Sequence, residues 1–447
     1  MGDKTIAQLA LTESLDDDDL LPVWKAGLRA TMAIRKRDMA FMSQSGMNPS
    51  RCVCFAFRGN NKKSILFKGG TVFLVPNGEN TVPMTFAQDT VEDLSVRITE
   101  AAAADTERAN QTNGKVFNIF ATSDRNFVVS TRSDFPGDIS NIYTAENTLW
   151  VGCFSTLCVA IPSGTAAIVP IARNSYAIGD KYLVKPAYSG DKYGFESFYK
   201  KSLTAIDRGP YYDVGTVPHV LAGWSAGDIL PESVWALGFR PTARSQVNMN
   251  KVMGMVYDAE KVKAIDIYLQ SGTGQNTASV YGAAHAVSRP QPCHQDDMRQ
   301  VGKELISDDE FSSAALGSNE RTNIQGSVDQ ATTGGHVDTA GRRMTSFIGC
   351  EEMCGYLWQW TRDVAALGSG TAWSNISGTA EYVGNTGWIS CDGQDAMGHD
   401  FNAVSALMAG GHWDNSSFCG SRARRGDFAR SAVHGSVGGR GASHVET

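Results

Sequence analysis

The sequence predicts a mostly β chain that ends in a loop-rich α+β domain, and three observations predict it. Short runs of β-branched and aromatic residues recur from Cys52 to about residue 220, bounded mostly by Gly, Asn, Asp or Pro. One helical pattern interrupts them. After about Asp228 glycine becomes dense and both periodicities fade, yet Trp358, Trp360, Trp373, Trp388 and Trp413 all fall between 333 and 447. An unfolded tail would not carry so much aromatic surface, so this stretch is a folded domain.

Bulk properties narrow the function. At 447 residues the chain exceeds one ordinary core, and roughly 100–200 residues per domain implies about three units. A net charge of −7 disfavours a nucleic-acid surface, whose phosphates it would repel. No apolar run approaches about 18 residues, so no membrane insertion is expected. Asp16–Asp19 sits where the apolar stretch of a signal peptide would be, which predicts synthesis in the cytoplasm. The nine cysteines are scattered and lack paired zinc-finger spacing; no metal site and no cofactor is expected, and buried thiols are the plain reading.

In chain order, residues 1–50 read as a leader: the acidic run, the apolar knob Leu20-Leu21-Pro22-Val23-Trp24, then Arg35-Lys36-Arg37. A docking peptide and a solvated arm both fit it. Residues 51–114 read as a small β-rich module with a helix. Its strands are 53–57, 64–67 and 71–75, and its helix is predicted at about 90–109, with Val91, Leu94, Ile98 and Ala101 on the face that packs on its own sheet. Residues 115–228 read as a β-sandwich or β-prism, with strands at 116–120, 127–130, 149–151 and 166–169. The match Gly223-Trp224-Ser225-Ala226-Gly227 has Pro231 close behind and no following helix, so it reads as a turn rather than a nucleophile elbow.

Residues 229–447 form the last domain. Ser307 with Glu310 three residues later marks a capped helix start, with Asp308 and Asp309 at its positive end. Gly355-Tyr356-Leu357-Trp358-Gln359-Trp360 reads as a strand with at least one buried face. From Ala409 to Gly441, glycines flank a mixture of Arg, Asp, Phe, His and Ser with no period, as binding loops on a rigid frame would look; an ordinary surface loop reads the same.

Gly302-Lys303-Glu304-Leu305, Gly355–Trp360, Gly410-Gly411-His412-Trp413, Gly420-Ser421-Arg422-Ala423 and Val437-Gly438-Gly439-Arg440 occur in the order of the formylglycine-generating-enzyme branch of the C-type lectin fold. Within that branch, 416–441 resembles the variable proteins of diversity-generating retroelements, specifically the tropism-determinant family of phage receptor-binding proteins. The match covers about 230–447, half the chain. It implies a C-terminal C-type-lectin-like domain behind β-sandwich or β-prism modules, a homotrimer, and a virion location on the phage tail. Trp358, Trp360, Trp413, Arg422 and Arg440 are implied as scaffold. His412, Asp414, Asn415, Ser416, Phe418, Arg425, Asp427, Phe428, Ala432, His434 and Ser436 are implied as outward-facing receptor-binding positions.

The partners implied are a host cell-surface protein or glycan, other phage tail proteins through the N-terminus, and further copies of the chain. Adenine mutation of an asparagine codon cannot yield Lys, Glu, Gln, Met or Trp, and none of these occurs between Asp414 and Val445. Ordinary divergence would leave the same pattern. Arg424, Arg425 and Arg430 with Phe418 and Phe428 supply the groups that dominate protein hot spots. The resemblance implies an adhesin; a structural virion protein, such as a head decoration or fibre connector, is the alternative. The enzymatic members of the branch need a close cysteine pair for copper, and here Cys419 stands alone, so no enzyme is expected. His399, Asp400 and Asp395 read as loop residues, and Cys350, Cys354 and Cys391 as buried thiols.

Overall fold

In the computed structural model the described residues are 20–25, 30–35, 54–56, 62–172, 212–243, 249–365, 389–390 and 405–446. The apolar knob of the leader is a strand: Leu20–Lys25 pairs antiparallel with Ala30–Arg35. Cys391, Asp395, His399 and Asp400, together with Trp373 and Trp388, lie outside the described residues.

The first body begins with β1 (Ser64–Phe67), β2 (Val72–Asn77), β3 (Asn80–Thr85) and β4 (Thr90–Asp93). β1 runs between Cys54–Ala56 and β4, and β2 and β3 form a hairpin. The helix expected over 90–109 is α1, Ser95–Ala104 only. Thr90 and Val91 are β-branched and pair with β1 instead. Asp93 Oδ1 then accepts from Ser95 N at 2.8 Å, a local turn that starts the helix five residues late. Leu94, Ile98 and Ala101 are buried as predicted, while Val91 faces solvent.

A second sheet follows, from β5 (Val116–Thr122), β6 (Phe127–Ser130), β7 (Thr148–Ser155) and β8 (Trp235–Ala236), in the order β8-β7-β5-β6. One apolar core joins both sheets and α1, from Ile65 and Phe73 to Phe154 and Ala236. Phe67 stacks on Phe127 at 4.5 Å between ring centres. Beyond it, Ala166–Ala172 pairs with Tyr212–Pro218. Gly223 and Gly227 adopt φ of +78° and +84°, and Ser225 N donates to Asp228 Oδ2. This is a tight turn leading into the last domain.

Among the described residues that domain holds two five-stranded sheets and a short pair, Gln270–Ser271 with Ala278–Ser279. The first contains β9 (Arg240–Pro241), β10 (Met255–Asp258) and β11 (Lys263–Asp266). Next come α2 (Gln291–Gln300), β12 (Glu304–Leu305) and α3 (Asp308–Ala314), the last with the predicted capping box. Glu310 N donates to Ser307 Oγ and Ser307 N to Glu310 Oε2. The second sheet contains β13 (Trp358–Ala365), β14 (Ser405–Gly410), β15 (Gly420–Ala429) and β16 (Val437–Gly439). The final strand, β17 (Gly441–Glu446), belongs to the first sheet, ordered β9-β17-β11-β10, with β12 also paired to β17. The second runs β15-β14-β13-β16, with Ile389–Ser390 on the outer edge of β15. Near its end the chain passes back from the second sheet to the first across one residue, Arg440.

Candidate functional site

The Arg440 guanidinium is wholly buried at that crossing. It donates to Gln359 Oε1 at 2.9 Å and to the carbonyl oxygens of Asp266, Ile267 and Glu351 at 2.6–2.8 Å. A buried charge is tolerable only with such complete hydrogen bonding. Beside it, Lys303 Nζ meets Asp266 Oδ1 at 2.5 Å, both side chains fully enclosed. Glycines admit this crowding. A Cβ on Gly441 would fall 2.5 Å from Asp266 Oδ2, and one on Gly411, at φ +85°, would fall 2.8 Å from Cys419 Sγ. Tyr356 through Trp360 are all fully buried, so the strand expected to hide at least one face hides both.

On this frame sits a ridge, 411–419, followed by β15. Trp413 N donates to Tyr356 O at 2.9 Å, and Asn323 Nδ2 bonds Trp413 O. His412 N donates to Asn415 Oδ1 and Asp414 N to His412 Nδ1. Burial, which outweighs the charge of Asp414, pulls the His412 imidazole down to about 4, so it is neutral at physiological pH. Asp414 and Ser416 are exposed, Ser416 at φ +51°, and His412, Trp413, Asn415 and Phe418 are half-buried. The scaffold positions Trp358, Trp360 and Arg440 are interior; Trp413 and Arg422 are half-buried.

Along β15 and the following turn, the predicted face divides. Arg425 is half-buried, with its guanidinium 4.3 Å from the centre of the Phe428 ring. His434 is exposed, and Ala432 packs at the margin of the core beneath. Asp427 lies on β15, its side chain outside the described residues.

Two predicted outward residues point inward. Phe428 is buried against Trp360, and Ser436 is buried with Oγ 2.6 Å from His434 Nδ1. A register shift explains Phe428: Ala406 faces Phe428 and Met408 faces Arg425, so β15 carries one extra residue against β14. That bulge sets Phe428 on the same side of the sheet as Ala406, Met408 and Arg425, where its ring packs on Trp360 beneath the Arg425 guanidinium. Arg424, a hot-spot candidate by residue type alone, is also interior. It pairs with Asp308, lies 5.1 Å over the Phe311 ring, and donates to Ser421 O and Ser312 Oγ. Arg430 is half-buried and donates to Gln291 Oε1 and Gln295 Oε1.

Two supporting residues carried no sequence signal. Asn323 holds Trp413 from 90 residues away, and Glu320 accepts from Ser421 N and Oγ across 101. Burial pushes the Glu320 carboxyl up to about 8 despite those two bonds and Arg422 nearby. Burial also drives the Cys419 thiol far above its ordinary range, and the thiols of Cys350 and Cys354 are enclosed and raised too.

No family model matches the chain, and no curated protein matches its sequence. Solved structures do match in shape. The Major Tropism Determinant U1 variant and P3c variant each superpose with a TM-score of 0.54 at 18% identity, over 99% of this chain and 98% of theirs. The M1 variant does so with the same score and identity over 96% of this chain and 93% of its own. Over nearly its whole length, the chain is therefore similar in fold to the Major Tropism Determinant variants.

Proposed function

We propose that the chain is a phage receptor-binding adhesin that grips a host cell-surface molecule with the exposed part of 412–436. The observation that carries this reading is the division just described. Asp414, Ser416, Arg425 and His434 differ in charge, size and hydrogen bonding, yet they stand on a frame fixed by Arg440, Trp358, Trp360 and glycines that admit no side chain. A rigid frame lowers the ordering cost of binding, and arginine beside an aromatic ring suits a protein or glycan target. Similar structures titled as variants of one tropism determinant agree with a fold that tolerates changed surfaces.

In the same reading the protein is a homotrimer on the virion at a tail-fibre tip. Its N-terminal hairpin docks to other tail proteins, and its face is varied by a retroelement. Three copies would add avidity of about 10²–10⁴. The role is binding rather than catalysis: thiols held protonated by burial are poor nucleophiles and poor metal ligands.

Purified full-length protein added to host cells should block adsorption of the phage that encodes it, and gold-labelled antibody should mark the tail tip. Label on the capsid with no block would instead favour a head-decoration or fibre-connector role.

A further inference from the structure

Glu352 is a non-glycine residue at φ +56°, in the left-handed region that side chains disfavour. Its side chain is fully buried, its Oε2 has no hydrogen-bond partner, and its Oε1 accepts from Gly334 N at 2.7 Å and bonds His336 Nδ1. Its backbone is held as well: N donates to Met344 O, and its carbonyl accepts from Gln359 Nε2 at 3.0 Å. Strained residues persist only where their surroundings over-determine them. Here part of that determination is an ion pair with a histidine.

Four residues on, Tyr356 packs its ring 5.4 Å from His336 and 5.5 Å from His285. Its hydroxyl donates to Gln330 O at 2.7 Å, and its carbonyl accepts from Trp413 N. A short chain of contacts therefore links His336, through Glu352 and Tyr356, to the ridge at 412–418.

We propose that His336 is a proton switch on the strained Glu352, closing segment 330–336 and bracing Trp413 when its ring is charged and loosening both when it is neutral. The inference goes beyond the adhesin reading and does not depend on it. Charged and titratable neighbours set the direction. Burial opposes the charged ring, but the hydrogen bond and charge of Glu352, with Glu351 behind it, outweigh burial and Arg343 and hold His336 above the ordinary imidazole range. His285, beside Asp329 at 3.5 Å, is held below that range by burial. The two rings are therefore shifted in opposite directions, His336 toward the charged form and His285 toward the neutral one. With its folded value raised, His336 gives its full stabilisation below about pH 6.5 and loses it as pH rises through the raised value.

Hydrogen–deuterium exchange on the full chain tests this at pH 6.5 and 8.5, after correction for intrinsic rates. Amides of 330–336 and of Trp413 should exchange at least about threefold faster at pH 8.5. His336→Gln should exchange fast at both pH values, and His285→Gln should keep the wild-type step. A wild-type chain with equal corrected rates at the two pH values overturns the proposal without recourse to any variant. So does a His336→Gln chain that keeps the step, or a His285→Gln chain that loses it.

Discussion

Arg440 and Gln359 are joined inside the last domain by a 2.9 Å hydrogen bond from Nε to Oε1, and neither side chain is exposed. The bond ties the crossing between the two sheets to β13, on which Trp358 and Trp360 are set. Removing the guanidinium takes the donor from Gln359 Oε1 and from the carbonyl oxygens of Asp266 and Glu351, while Ile267 O keeps Glu351 N at 2.7 Å.

Arg440→Ala should therefore cost about 3–5 kcal/mol in denaturant unfolding, the range for breaking buried charged networks. Arg440→Lys should recover less than half of it, because one ammonium cannot reproduce a planar fork with several directed donors.

Gly411→Ala should destabilise by about 1–3 kcal/mol, since the new Cβ meets Cys419 Sγ at 2.8 Å and φ is +85°. Thermal melts should show it as a lowered midpoint. Gly164→Ala is the control: its φ is +82° but nothing lies near its Cβ, so only the backbone strain remains.

Arg424 and Arg425 are neighbours with opposite roles. Arg424→Ala loses the pair with Asp308 and the contact with Phe311, and should cost about 2–4 kcal/mol. Arg425→Ala should change stability by less than about 1 kcal/mol while weakening cell binding. Unfolding curves and a cell-binding assay on both variants check the split.

Glu320 has a folded value of about 8, raised well above that of an unfolded glutamate. The folded state thus resists its ionisation, and its contribution is best at acid pH, declining from about pH 4.5 to about 8 and flat beyond. Glu320→Gln, which keeps the acceptor for Ser421, removes that decline. The variant should gain on wild type by up to about 1.4 kcal/mol per pH unit across this window, measured as unfolding free energy at pH 5 and 8.5.

Much of the frame is legible in the sequence, because its residue types have few other uses. Paired glycines at 410–411 answer backbone angles and close contacts, the tryptophans need a core, and Ser307 with Glu310 announces a helix start. The binding face is only partly legible. The resemblance implies Phe428 as outward, and a bulge visible only in the pairing with β14 sets its ring against Trp360 instead. Residue type also misplaces Arg424, since a guanidinium reads alike on a surface or buried over Phe311. The supports from Asn323 and Glu320 depend on contacts 90 and 101 residues apart, which local pattern does not encode. At Thr90–Asp93 a helical spacing of apolar residues is overridden by β-branching and a waiting partner strand.

In the proposed reading a rigid frame carries a replaceable contact face. The most direct test changes Asp414, Ser416, Arg425 and His434 together to alanine and measures the concentration of purified protein that halves adsorption of its phage. That concentration should rise at least about tenfold, with the thermal midpoint within a few degrees of wild type (a tenfold loss is about 1.4 kcal/mol of binding). An equally potent inhibitor would contradict it, because the target would then be held somewhere else.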